Sequence, residues 1–495
     1  MGISPHQMRQ LYQAVAVPSF TYAADVWFTL ICRDTGEERF RGSIGTARKL
    51  SMVQHMATTA VTGALCTSAS DVMEAHANLL PIELMLNKVC HRATLRLAAL
   101  PETHPLFKPV RQSAWRFIKR HRSPLHHLFH AFNMRPSDCE TIAPSVCPPN
   151  EDRAVWLHVA GMHEESREED AEDEVDVRVY SDGLGIEGMA GTAAVLFRDG
   201  HKAKSIRYWL SPLMRHTTYE AEAVGVLLAV ELVRRERGVH SATTCLDNQA
   251  VMQALGDRSA KPAQALLNLV HEGCSDWLDG DRRGRRQLSI NWVSRHDGVH
   301  GNERADEEAR KAASEGSSLE AELLESLQEC TLPCSLAALG GKFKETLKHR
   351  WKAMWAKSPW KGRIDKIDDK LPSHSFLMAT SQLTRAQASI LMQLRTGHIL
   401  LNYFLHKIGK VDSPTCQTTD ETVHHYLLDC LGLVHECHSL AQAMGRNSKS
   451  MRHLLGNWHA YKALLKYVRT TGRFKDTYGD LPMRSTQADV SPPVS

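Results

Sequence analysis

Long apolar runs are missing from this 495-residue chain. No stretch reaches the roughly 18 consecutive apolar residues that a membrane-crossing helix needs, so no membrane span is expected. The first residues, Met1-Gly-Ile-Ser-Pro-His6, carry no basic region ahead of an apolar core, so no secretory signal is expected. An N-myristoylation pattern at Gly2 wants Ser or Thr where His6 stands, which excludes that anchor. Cysteine occurs twelve times but without the paired spacings of a disulfide framework, as suits reduced thiols in the nucleus or cytoplasm, where the protein is expected. Charge of one sign is scarce as well: 60 Lys and Arg against 56 Asp and Glu leave a net +4. That balance neither demands nor excludes nucleic acid, because a local basic face matters more than the sum. With 42% apolar and 23% charged residues the composition is that of a folded protein, long enough for about three domains.

The most organised stretch runs over residues 175–314. Val175, Val177 and Val179 alternate with polar residues, a period of two that predicts a strand ending at Asp182, before Gly183. Strands are expected over 192–197 and 205–210, joined by a turn at Asp199-Gly200. Thr217 or Thr218 then caps a helix running towards Gly238. A short strand over 242–246 ends in Asp247-Asn248-Gln249, helical stretches continue to Leu278, a last strand covers 287–293, and a closing helix follows. This order predicts an α/β domain with a mixed five-stranded sheet flanked by helices. Acidic residues recur where strands stop and helices begin, the place where open α/β sheets handle ligands. Converging carboxylates repel one another and are tolerable when a cation neutralises them. Hard oxygen donors favour Mg²⁺, and a pair of such ions suits in-line displacement at a phosphodiester. The residues point to metal-assisted phosphoryl chemistry.

Four motifs stand in order along this stretch: Tyr180-Ser-Asp-Gly183, Tyr219-Glu-Ala-Glu222, Leu246-Asp-Asn-Gln249, and Trp292-Val-Ser-Arg-His296 followed by Gly301-Asn-Glu-Arg-Ala-Asp306. Together they resemble the type 1 ribonuclease H domain. The resemblance implies a ribonuclease H-like sheet and endonucleolytic hydrolysis of the RNA strand of RNA/DNA hybrids. It also implies catalytic, metal-binding carboxylates at Asp182, Glu222, Asp247 and Asp306, which hold two Mg²⁺ or Mn²⁺ ions. His296 matches the family's mobile histidine, which moves protons and assists product release. Glu220 rivals Glu222, but residues two apart on a helix point to roughly opposite sides, and the motif favours Glu222. Leu184 departs from the family, which has Ser or another small residue there, and a larger apolar group is expected to crowd the metals or the substrate backbone. A proofreading-type exonuclease shares the sheet but wants Asp-x-Glu on the first strand, which Asp182-Gly-Leu184 lacks. The remaining alternative is a catalytically decayed relic that binds nucleic acid.

Residues 1–115 read as helical, with apolar residues at helical spacing and basic ones between them. Leu11-Tyr12, Pro18, Tyr22, Trp27, then Leu50-Ser-Met-Val-Gln54 and Thr62-Gly-Ala64, resemble the region after the reverse transcriptase palm of non-LTR retrotransposons. No Tyr-x-Asp-Asp run occurs, so the palm is missing and no DNA polymerisation is expected. The resemblance makes the chain the carboxy-terminal part of a retrotransposon polyprotein. Residues 116–174, with Pro144, Pro148, Pro149 and an acidic run over 164–174, read as a solvated linker. Arg282, Arg283, Arg285 and Arg286 form a basic loop suited to phosphates of the substrate strand, and Trp277 ahead of it is expected in the core.

A second linker, 315–338, leads to a helical region, 339–470. Its first helix carries Trp351 and Trp355, expected in the core, and Lys344, Lys348 and Lys352, expected on a solvated face. The segment from Cys416 to Cys430 resembles the small Cys-Cys-His-Cys knuckle that follows ribonuclease H in such elements, implying Cys416, His425 and Cys430 as zinc ligands. A structural zinc site wants four ligands. Thr419 stands at the second cysteine position, so a degenerate site of weak zinc affinity is expected unless His424 substitutes. Residues 471–495 are expected to be a disordered tail.

Overall fold

The computed structural model describes residues 3–31, 41–115, 124–143, 155–257, 261–281, 284–295, 298–328 and 332–481. Two compact units result, one from residues 90–345 and one from residues 1–89 together with 346–495. No helix among the described residues is long and apolar enough to cross a membrane.

The first unit is built on a mixed sheet of strands β1 (Val155–His158), β2 (Val177–Ile186), β3 (Met189–Arg198), β4 (His201–Pro212), β5 (Ser241–Leu246) and β6 (Gln287–Trp292), in the order β1-β6-β5-β2-β3-β4. β2, β3 and β4 form an antiparallel meander, whereas β5, β6 and β1 run parallel to β2. Five strands match the sequence reading, and β1 adds a sixth on the outer edge of β6. The helices that follow in the sheet's own stretch include α1 (His163–Glu172), α2 (Thr218–Arg235), α3 (Gln249–Asp257), α4 (Gln264–Asp279) and α5 (His300–Glu315). Val177 and Val179 enter a core shared with Leu228, Val230, Val270, Leu288 and Ile290. Tyr180, the next residue on the strand, points the other way, into a cluster with Val195, Phe197 and Ala305. β2 is therefore buried on both faces, as the centre of such a sheet must be.

Two glycines let the flanking helices come close to β2 and β3. A Cβ on Gly183 would lie 2.2 Å from the Glu222 backbone nitrogen, and one on Gly191 would lie 2.4 Å from that of Ala313. Glycine at both positions brings α2 and α5 against the middle of the sheet.

Much of the acidic segment expected as linker is helix α1, and the sheet engages the acids at its carboxy-terminal end. Asp170 accepts from the Tyr180 hydroxyl at 2.8 Å, and Arg178 lies 3.8 Å from both Asp170 and Asp173. Ser166 donates to the Trp292 carbonyl at 3.1 Å. The run folds because its partners sit on β2 and β6, far along the chain. Glu140 does a similar job at a second seam, accepting from the backbone N–H groups of Ala263 (2.6 Å) and Leu336 (2.8 Å). These bonds fasten segments on either side of the motif-bearing stretch to it, one of them within 315–338, expected to be linker.

The second unit is helical. Its core joins Val61, Met73 and Leu79 to Phe376, Leu391, Leu454, Leu464 and Val468. The amino- and carboxy-terminal helical stretches thus share one core, although the sequence separates them by the whole α/β stretch. Trp351 and Trp355 are buried and Lys348 and Lys352 are exposed, as expected, and so is Lys344 at the end of the first unit. Arg395 and Asp368 form a buried ion pair at 2.7 Å.

Candidate active site

Asp182 lies on β2, where Gly183 N–H donates to its Oδ1 at 2.8 Å. Glu222 lies one turn into α2, and the start of that helix separates it from Glu220. Thr217 is the N-cap, and its hydroxyl accepts from the Glu220 N–H while the Glu220 carboxylate accepts from the Thr217 N–H at 2.7 Å. This reciprocal cap occupies Glu220, and Glu222 faces the strand ends. Asp247 follows β5, whose parallel pairing with β2 sets Leu246 beside Ser181. One ligand oxygen from each of Asp182, Glu222 and Asp247 lies within 4.8 Å of the other two.

Asp306, on α5, is not in that group of three. It is paired with Arg310 at 2.8 Å, yet close enough to Asp182 to act on its carboxyl. His296 lies outside the described residues.

The electrostatics are those of a site short of positive charge. Burial, then the neighbouring Asp182 and Asp247, push the Glu222 carboxyl up to about 9. Burial, then Asp247 and Asp306, push Asp182 up to about 7. Glu222 Oε2 is buried without a hydrogen-bond partner, a costly condition for a carboxylate. A divalent cation among these oxygens would answer both problems at once, so the donor set fits a hard metal ion.

Side chains that the motif reading did not single out shape the cluster. Asn302 Nδ2 lies 3.4 Å from Asp247 Oδ2, and Arg295 Nε lies 3.6 Å from the same oxygen. The Asn248 side chain bonds to Glu222 and holds its carboxyl down against the rise. All three were within sight, since each adjoins a motif acid or histidine in the sequence. Leu184, two residues beyond Asp182 on β2, has a packing role of its own. It is buried against Ala193, Ala309 and Ala313, small residues that leave room for it between the sheet and α5.

Of the basic loop, Arg282 and Arg283 lie outside the described residues. Arg285 is 3.8 Å from Asp281, and Arg286 stacks over the buried Trp277 ring at 5.0 Å while donating to the Trp277 carbonyl. Both are engaged within the loop and α4, and Trp277 is in the core as expected.

In the helical unit, β7 (Thr415–Cys416) and β8 (Thr419–Asp420) form a two-stranded hairpin that presents Cys416 to Cys430, with the sulfurs 3.8 Å apart. His425 completes a group of three potential ligands within 4.8 Å of one another. Its Nδ1 is 3.1 Å from the Thr419 hydroxyl, and its Nε2 is buried without a partner. His424 is exposed and turned to Asp429 at 2.8 Å, so it does not supply the fourth ligand. The hairpin is braced independently: Arg473 binds both Glu421 oxygens at 2.9 and 2.8 Å, and Asn402 donates to the Thr415 carbonyl at 3.0 Å.

No protein-family model matches the chain, and no curated protein matches it. Solved structures that resemble it include RNase H1 from the halophilic archaeon Halobacterium salinarum NRC-1, at 23% identity, covering 28% of this chain and 98% of that one with a TM-score of 0.23. The N-terminal RNase H domain of Rv2228c from Mycobacterium tuberculosis matches at 19% identity with the same coverages and TM-score. LC11-RNase H1 in complex with an RNA/DNA hybrid matches at 15% identity, covering 28% of this chain and 97% of that one, again with a TM-score of 0.23. The likeness is one of fold, and it concerns a little over a quarter of the chain.

Proposed function

We propose that this ribonuclease H-like domain hydrolyses the RNA strand of RNA/DNA hybrids endonucleolytically. The observation that carries the reading is the orphaned Glu222 Oε2 within a group of three buried carboxylates from the middle of β2, the residue after β5 and the first turns of α2. The substrate class comes from the order of the four sequence motifs. Asp182, Glu222, Asp247 and Asp306 would hold two Mg²⁺ or Mn²⁺ ions, which when bound supply an activated water and charge stabilisation for the leaving 3′-oxygen. The chain's own part is positional. The Gly183 N–H fixes one Asp182 oxygen, Asn302 orients Asp247, and the cap at Thr217 commits Glu220 elsewhere, so that Glu222 faces the cluster. His296 is assigned proton movement on its motif alone, and 2′-hydroxyls would distinguish the RNA strand.

A second metal centre is proposed at Cys416, His425 and Cys430. The 3.8 Å sulfur separation is the edge of a tetrahedron with metal–sulfur bonds of about 2.3 Å, the zinc–thiolate distance. Thr419, by engaging Nδ1 of His425, leaves Nε2 as the donor. The motifs of residues 1–115 further suggest a retrotransposon origin.

The test is cleavage of a labelled RNA/DNA hybrid by the full chain with Mg²⁺ or Mn²⁺, beside an Asp247→Asn variant and an RNA/RNA duplex. Hybrid-only cleavage that disappears in the variant supports the nuclease. Binding that persists in EDTA with no cleavage in either metal would replace it with the decayed relic. Leu184 and Thr419 are the residues that favour the relic, and the packing of Leu184 against Ala193, Ala309 and Ala313 gives it a structural role compatible with the nuclease.

A further inference from the structure

Arg295 lies just beyond β6, and its Nε stands 3.6 Å from Asp247 Oδ2. Its side chain is 56% exposed, whereas that of Asp247 is 4% exposed. A cation thus reaches from solvent onto a buried carboxylate of the cluster. Arg310 pairs with Asp306 more closely, but as an i,i+4 neighbour on the same helix, a common surface arrangement. Arg295 comes to Asp247 from a different element, with no such local reason.

Resting on the nuclease reading, we infer that Arg295 contacts a backbone phosphate of the bound hybrid and covers Asp247 when the site is free of metal. A guanidinium and a divalent cation repel each other, so the two compete for the same carboxylate oxygen. An ion pair at this exposure is weak, and leaving it costs little. Asn302, on α5, also donates to Asp247 Oδ2, so the carboxylate keeps a partner when the guanidinium departs. The released side chain is permanently charged and carries a planar fork of donors matched to phosphate oxygens. It sits at the open mouth of the cluster, where a scissile or flanking phosphate must arrive.

The experiment compares full-length wild type with Arg295→Ala and Arg295→Lys in two binding assays, neither of which needs turnover. Calorimetric Ca²⁺ titration without nucleic acid should show about three- to fivefold tighter binding for Arg295→Ala, because the competitor is gone. Hybrid binding in Ca²⁺ over a salt series should show about tenfold weaker binding for that variant, with a log–log salt slope shallower by about 0.9, the value of one phosphate contact. Arg295→Lys should keep the slope. An unchanged slope and unchanged Ca²⁺ affinity would make Arg295 an ordinary surface charge. Weaker Ca²⁺ binding would make it a prop for Asp247. Either result alongside a wild type that cleaves the hybrid overturns this inference alone, and a wild type that neither binds nor cleaves overturns the nuclease reading with it.

Discussion

Metal binding to the carboxylate cluster should expel protons, and their number follows from the site. With Glu222 pushed up to about 9 and Asp182 to about 7, chiefly by burial and then by their acidic neighbours, the metal-free cluster at about pH 7 holds roughly 1.5 protons. Nearly one sits on Glu222 and about half of one on Asp182. A divalent ion takes the deprotonated form, so uptake releases those protons, and affinity should rise about tenfold from roughly pH 7 to 8 before levelling above about 9. Stability of the metal-free protein runs the opposite way. Carboxyls raised by folding bind more protons folded than unfolded, so this contribution is fullest near the ordinary carboxylate range and is lost as pH climbs towards 9. Mg²⁺ titration calorimetry in two buffers of different ionisation enthalpy counts the protons directly, and Glu222→Gln should cut the count to about 0.5 or below. Heats that do not depend on the buffer, with an affinity flat over this range, would refute the claim that these carboxyls share a cation.

Three further outcomes follow from packing and ligand geometry. Gly183→Ala places a methyl 2.2 Å from the Glu222 nitrogen, so it should lower stability by about 1–3 kcal/mol in chemical denaturation and abolish hybrid cleavage by moving α2. Leu184→Ser, which puts a small residue there, should cost about 2–5 kcal/mol by emptying the space against Ala309 and Ala313. It should not raise the cleavage rate, and a clear gain would mean that Leu184 does obstruct the site. Thr419→Cys should tighten zinc by at least about tenfold in competition with a chromophoric chelator, and equal affinities would argue against a centre at Cys416, His425 and Cys430.

Much of the α/β stretch is legible from local pattern. The alternation through Val177 and Val179, the turn at Asp199-Gly200 and the cap at Thr217 each report a local event, and the corresponding elements appear. Helix periodicity says only that one of Glu220 and Glu222 can face the site, the motif favours Glu222, and the cap adds a positive reason for Glu220 to be elsewhere. What escaped depends on partners distant in sequence. The acids over 164–174 look like a solvated run until Arg178 and Tyr180 are set against them. β1 is only four residues long and gains its identity by lying along β6. Two of the alanines that accept Leu184, Ala309 and Ala313, are more than a hundred residues away. The helical regions at the two ends of the chain look like independent pieces because sequence order says nothing about which apolar faces meet.

The attachment of α1 and β1 to the sheet bears on where the chain can be cut. A fragment trimmed to the four motifs, beginning near residue 175, would discard both elements. It would strip the outer edge of β6, leaving a row of unpaired backbone groups open to another chain. Arg178 and the Tyr180 hydroxyl would lose the acids that satisfy them, and removing residues 138–142 and 332–336 would undo the Glu140 clasp at Ala263 and Leu336. Such a fragment should aggregate whatever its chemistry, and its silence in an assay would say nothing about the carboxylates. The smallest fragment worth expressing therefore begins before Glu140 and ends after Leu336.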